Sequence, residues 1–162
     1  MLHTVVPTLL ALASLASAHT FTLHNNCNYN VPLYVDSWPG SVAYTGPQPT
    51  LSPGQWQSIT IPTGWDSRIC QNADGGKCWG EDSMTEFTMD SEGLAYYDIS
   101  NIEAFFIAQQ IAPADSSCQT VTCTSANCPC SQAYPVGDES GCRDDAPVKA
   151  CFGQDFTITY CP

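Results

Sequence analysis

Glu86 and Asp98 are the side chains on which chemistry is first sought. Residues 84–90 read Met-Thr-Glu-Phe-Thr-Met-Asp, so Phe87 and Met89 share one face of a two-residue alternation while Glu86 and Thr88 share the other. Residues 95–99 alternate likewise, with Tyr97 and Ile99 opposing Tyr96 and Asp98. Two carboxylates on the polar faces of strands can occupy one surface. Repulsion between their ionised forms then raises one pKa. A protonated carboxyl beside an ionised one is the pair that cleavage of a glycosidic bond uses. The plainer reading is an acidic, solvated surface.

Two histidines form the second candidate. Residues 5–16 are almost all apolar or small, and Ala16-Ser17-Ala18 has the small-x-small form of a leader cleavage site. Residues 1–18 are therefore expected to be a signal peptide. His19 would then offer an amine and an imidazole together, a chelating pair for copper. His24 faces the opposite way by strand parity, so such a site would lack its second imidazole. The simpler expectation is an exposed terminal residue, with no metal and no cofactor.

The chain has ten cysteines: Cys27, Cys70, Cys78, Cys118, Cys123, Cys128, Cys130, Cys142, Cys151 and Cys161. All lie beyond the leader, and an even set in an oxidising compartment implies five disulfides. Zinc is disfavoured, because paired C-x2-C knuckles are absent. A Cys128–Cys130 bridge is disfavoured by its single intervening residue.

Composition narrows the partners. Sixteen acidic against four basic residues give a net charge of −12 in 162 residues. Such a surface repels nucleic acid and anionic membranes. Hydrophobic residues make up 43% and charged ones 12%, which suits a buried core rather than a disordered acidic chain. No apolar stretch is long enough to span a bilayer. No N-x-S/T sequon occurs. A soluble, secreted, monomeric protein is expected.

The elements that must position these groups are short strands. Residues 19–24, 31–35, 56–61, 84–90, 95–99 and 156–160 all carry two-residue alternation, separated by Gly- and Pro-rich turns. Residues 101–111 are ambiguous between helix and strand. An antiparallel all-β sandwich is predicted. Residues 114–151 hold most of the cysteines and little apolar periodicity, so they read as a disulfide-rich loop lobe. Residues 19–162 are read as one domain.

Five short motifs, in order, carry a family resemblance. They are Phe21-Thr22-Leu23-His24-Asn25-Asn26-Cys27, Gly64-Trp65-Asp66-Ser67-Arg68-Ile69, Thr85-Glu86-Phe87, Tyr96-Tyr97-Asp98-Ile99-Ser100, and Phe156-Thr157-Ile158-Thr159-Tyr160-Cys161-Pro162. The chain resembles the thaumatin-like proteins, the osmotin, thaumatin and pathogenesis-related group. Its length and ten cysteines are similar to the small subgroup found in fungi and cereals; a fungal source is expected. The resemblance implies a thaumatin-like sandwich and pairs Cys27 with Cys161, Cys70 with Cys78, and Cys118 with Cys151. For the rest, Cys123 with Cys130 and Cys128 with Cys142 is the chosen arrangement.

The resemblance also implies an acidic cleft. Its members would be Arg68, Glu86, Asp98, Glu103, and Asp144 or Asp145. Glu86 is expected as general acid and Asp98 as base or nucleophile, with the others and Tyr96 contacting substrate. Trp38, Trp65, Trp79 and Tyr97 are further aromatic candidates, while Phe105 and Phe106 are expected in the core. The implied ligand is a wall glycan such as β-1,3-glucan. Weak endo-β-1,3-glucanase activity, in wall remodelling or antifungal action, is the implied chemistry. The alternative is a non-catalytic secreted surface or effector protein in germination or host interaction.

Overall fold

The computed structural model describes residues 18–71, 75–76, 78 and 82–162. Trp79 and all of the expected leader except Ala18 lie outside the described residues. Eleven strands follow in order: β1 (Ala18–Asn25), β2 (Val31–Val35), β3 (Thr50–Leu51), β4 (Trp56–Pro62), β5 (Asp66–Gln71), β6 (Met84–Ser91), β7 (Leu94–Ser100), β8 (Gln109–Pro113), β9 (Val121–Cys123), β10 (Lys149–Cys151) and β11 (Phe156–Tyr160). There is no helix among the described residues. The ambiguous stretch resolves into irregular chain followed by β8. Its β-branched and aromatic residues suit a strand better than a helical turn.

The strands form two sheets, one in the order β4-β1-β11-β8-β9 and one in the order β10-β7-β6-β5-β2-β3. All pairs are antiparallel except β1 and β11, which run parallel with Phe21 opposite Phe156. The first and last strands are thus joined by one parallel pair in an otherwise antiparallel sandwich, as the fold class predicts. The core lies between the sheets. Phe21 from one sheet meets Phe87 from the other at 4.6 Å between ring centres, and Phe156 at 5.3 Å. Trp65 is fully buried beside them, and its indole N–H donates to the Asp36 carbonyl at 2.9 Å. This satisfies the ring's polar edge while its apolar area is removed from water.

Residues 114–151, read as a loop lobe attached to the sandwich, contain two of its strands. β9 pairs with β8 and β10 with β7, so the segment supplies an edge strand to each sheet. Five disulfides involve all ten cysteines: Cys27–Cys161, Cys70–Cys78, Cys118–Cys151, Cys123–Cys128 and Cys130–Cys142. The last two correct the predicted Cys123–Cys130 and Cys128–Cys142 pairs. The chain after β9 folds back tightly, so that both Cys123 and Cys128 sulfurs lie against the Ser125 carbonyl, at 3.2 and 3.1 Å. Both side chains enter the core, whereas half-buried Cys130 is left to bond Cys142. Phe106 is also corrected: it is 49% exposed, while Phe105 packs against the core.

A polar clasp joins the two sheets at one end. Asp90 closes the regular part of β6 with φ 60°, at a register shift opposite β7. Its Oδ2 lies 2.9 Å from His19 Nε2 on β1 and accepts the Gly64 N–H at 2.7 Å. Partial burial pushes its pKa up, but the Gly64 and His19 hydrogen bonds, His19's charge and Gln154 outweigh this and hold it below the ordinary value. A depressed native pKa stabilises the fold above the ordinary aspartate pKa, and that stabilisation is lost as pH falls through the native value.

Two stability outcomes follow. Asp90→Asn should lower the melting temperature at pH 7, and its deficit should shrink as pH falls below the ordinary carboxyl value of 3.8. A deficit independent of pH would contradict the clasp. Replacing Cys27 and Cys161 with Ser opens a closure spanning 134 positions. The loss in guanidinium unfolding should be about 2–5 kcal/mol.

Candidate functional site

Parity in the six-stranded sheet places the chemistry. Ser67 and Ile69 of β5, Phe87 and Met89 of β6, and Ala95 and Tyr97 of β7 are buried. Burial of that face sends the alternate residues outward. Arg68 stands opposite Glu86, and Glu86 stands opposite Asp98. Three charges from three strands thus form one row. The adjacent row is Asp66, Thr88 and Tyr96, and the Thr88 hydroxyl donates to Asp66 at 3.1 Å.

These rows floor an open cleft of about 370 Å³, bordered by Trp38 and Val148. The Arg68 guanidinium lies 4.6 Å above the Trp38 ring, a cation–π contact. Its Nε is 3.5 Å from Glu86 Oε1. One side of the cleft is therefore a cation held between an aromatic face and a carboxylate. The other side is Asp98, which is only 8% exposed. Its Oδ2 has no hydrogen-bond partner among the described residues. Burial, first, and then the charges of Glu86 and Asp145 push its pKa well up; Arg68 and Lys149 offset part of this. Asp98 is the carboxyl of the cluster whose ionisation is most disfavoured.

Asp145 reaches this cluster from the loop lobe. Cys142, Arg143, Asp144 and Asp145 all have positive φ, between 50° and 67°. Left-handed backbone is costly for residues with a Cβ. The turn is tied down by the Cys130–Cys142 bridge and by Asp138, which accepts the Cys142 N–H at 2.8 Å. Its geometry separates two neighbours that sequence left equivalent. Both are exposed, but Asp145 accepts the Tyr134 hydroxyl at 2.9 Å and Asp144 does not. Burial, then the bond to Asp145, raises the Tyr134 pKa, so its hydroxyl stays a donor.

The remaining candidates lie elsewhere. Glu103 is exposed on the segment before β8 and does not line the cleft. Trp65 and Tyr97 are core residues, and the Tyr97 hydroxyl donates to the Gln119 carbonyl. His19 is buried against Asp90, which corrects its reading as an exposed terminal residue. His24 stacks on Trp56 on the opposite face of β1. Sequence reasoning missed Tyr134, Val148 and Lys149, and it missed that Trp38 covers Arg68. None of the four lies in a run with strand periodicity around the charged row; only chain folding brings them there.

No family model matches the chain. It is 31% identical to the thaumatin-like pathogenesis-related protein 4 of Avena sativa, over 98% of this chain and 97% of that protein. It is 30% identical to a thaumatin-like protein of Oryza sativa, over 91% of this chain and 87% of that one. Among solved structures, the protein elicitor MoHrip2 of Magnaporthe oryzae superposes with a TM-score of 0.57 at 21% identity, covering 89% of this chain and 99% of that chain. That likeness is one of fold.

A raised native pKa has the opposite linkage to that of Asp90. The stability it contributes is present below the unfolded carboxyl value and is lost as pH rises through the native one. Asp98→Asn should therefore melt at a higher temperature than the parent at pH 7. The gap should close toward pH 3, since both side chains are then neutral. A variant less stable at pH 7 than at pH 3, relative to parent, would refute the burial argument.

Proposed function

The chain belongs to the thaumatin-like pathogenesis-related family, and on that footing we propose that the cleft over β5, β6 and β7 holds a chain of neutral wall glycan, β-1,3-glucan foremost. The single observation that carries this reading is the cross-strand row of Arg68, Glu86 and Asp98 beside Trp38 and Tyr96. Sugars present hydroxyl rims and apolar C–H faces. The charged row can exchange hydrogen bonds with the rims, and the aromatic borders can cover the faces. An acidic lining disfavours anionic polysaccharides, so a neutral glycan fits best. Five disulfides and the family suit secretion, where such a polymer is met.

The same row supports weak hydrolysis as a second activity. The environments of the two carboxyls favour exchanging the roles expected from sequence. Asp98 is buried and its pKa is pushed up, which suits it to protonate the leaving oxygen. Glu86 lies against the Arg68 guanidinium, which suits it to attack or to activate water.

Titration with soluble β-1,3-gluco-oligosaccharides tests the cleft. Trp38→Ala should weaken binding about tenfold, in line with loss of one aromatic contact. Glu86→Gln should reduce reducing-end release by about 10²–10⁴-fold with the fold intact. Unchanged release would remove the hydrolytic role. Absence of binding to any soluble wall oligosaccharide would remove the glycan reading of the cleft and favour a non-catalytic surface or effector protein.

A further inference from the structure

The five-stranded sheet has a composition unlike the rest of the molecule. In a chain with 16 acidic side chains, β1, β4, β8, β9 and β11 contain no Asp, Glu, Lys or Arg. Solvent-facing sheets ordinarily carry charge, on their edge strands above all, because charge blocks association. Here the inner face is core and the outer face is mostly hydroxyl. One row across it reads Ser58, Thr22, Thr157 and Ala112. The next reads Trp56, His24, Thr159, Gln110 and Thr122. Thr60 opposite Thr20 opens a third.

Strand spacing sets this lattice at about 4.8 Å across the sheet and about 6.7 Å along it. At one corner the Trp56 ring is 59% exposed and stacked on His24, with ring centres 3.8 Å apart and planes 11° from parallel. The stack holds the indole as a fixed platform.

We propose that this outer face is a second carbohydrate-contact surface, separate from the acidic cleft and fitted to the flat surface of an insoluble neutral polysaccharide. Charge complementarity selects the occupant. A partner with either sign of charge finds no counter-charge on these strands, whereas a neutral glycan surface needs none. Thr and Ser hydroxyls both donate and accept, as sugar hydroxyls do. Trp56 offers a π-face to sugar C–H groups. A second copy of the chain is a poorer match, since stable self-association buries an apolar centre and this face exposes a single large apolar ring. The cleft would grip one chain end or loop; this face would hold the molecule on a wall while the cleft works.

Depletion of the oxidised full chain from suspensions of insoluble β-1,3-glucan, cellulose and chitin tests the proposal. The parent should bind at least one of these particles, with affinity unchanged between 0.1 and about 1 M salt, because no ion pair is involved. Thr157→Lys combined with Thr159→Lys should lower apparent affinity at least tenfold, as should Trp56→Ala. Thermal melts confirm that each variant is folded, and either one suffices if the other is not. The face variants should bind soluble β-1,3-gluco-oligosaccharides as the parent does, which separates this surface from the cleft. Binding by both folded face variants equal to that of the parent would overturn the proposal. So would a parent that binds no particle, or a dimer in sedimentation that the lysine pair dissolves.

Discussion

Every feature of the site depends on a constraint of strand geometry: successive side chains must point to opposite faces. Burying Ile69, Phe87 and Tyr97 against the opposing sheet removes apolar area from water and stabilises the sandwich. The same act forces Arg68, Glu86 and Asp98 to the other face, and the register of β5, β6 and β7 aligns them. The charged row is therefore not an added device. A shift of one residue in β6 would bury Glu86 and expel Phe87, so packing energy holds the site in register.

Two aspartates show how burial and partners decide opposite electrostatic outcomes in one fold. Asp90 receives an N–H from Gly64 and sits against His19, so ionisation favours the folded state. Asp98 is more deeply buried, faces two other acids and has one oxygen without a partner. Its ionisation disfavours the fold. The clasp ties the sheets together, while the cleft keeps an energetically costly group at a concave surface. Costly groups of this sort are what a ligand site retains.

Charge is divided between the two sheets. The six-stranded sheet carries Asp66, Arg68, Glu86, Asp90, Asp98 and Lys149, while the five-stranded sheet carries no Asp, Glu, Lys or Arg. The disulfides hold these halves and the lobe in one body. Cys27–Cys161 secures the parallel pair of first and last strands, and Cys118–Cys151 anchors the last residue of β10. Cys130–Cys142 braces the left-handed turn that carries Asp145.

Much of the fold was legible in the residues themselves. Strands with strong alternation, such as Phe156–Tyr160 and Met84–Ser91, were readable because apolar and polar side chains report which face each must take. β5 was not, because only Ile69 marks its apolar face clearly among Ser, Arg, Cys and Gln. β9 and β10 are three residues each, too short for any period to register. The outward direction of Glu86 and Asp98 was likewise local information. Their alignment with Arg68, the choice of Asp145 over Asp144, the cover of Trp38 and the true partners of Cys123 and Cys128 were not. Sequence by itself determined side-chain direction, since that follows from the neighbouring residues on the same strand. Only the tertiary structure decided who meets whom, because pairing register, burial depth and loop path are settled by contacts between segments far apart in the chain.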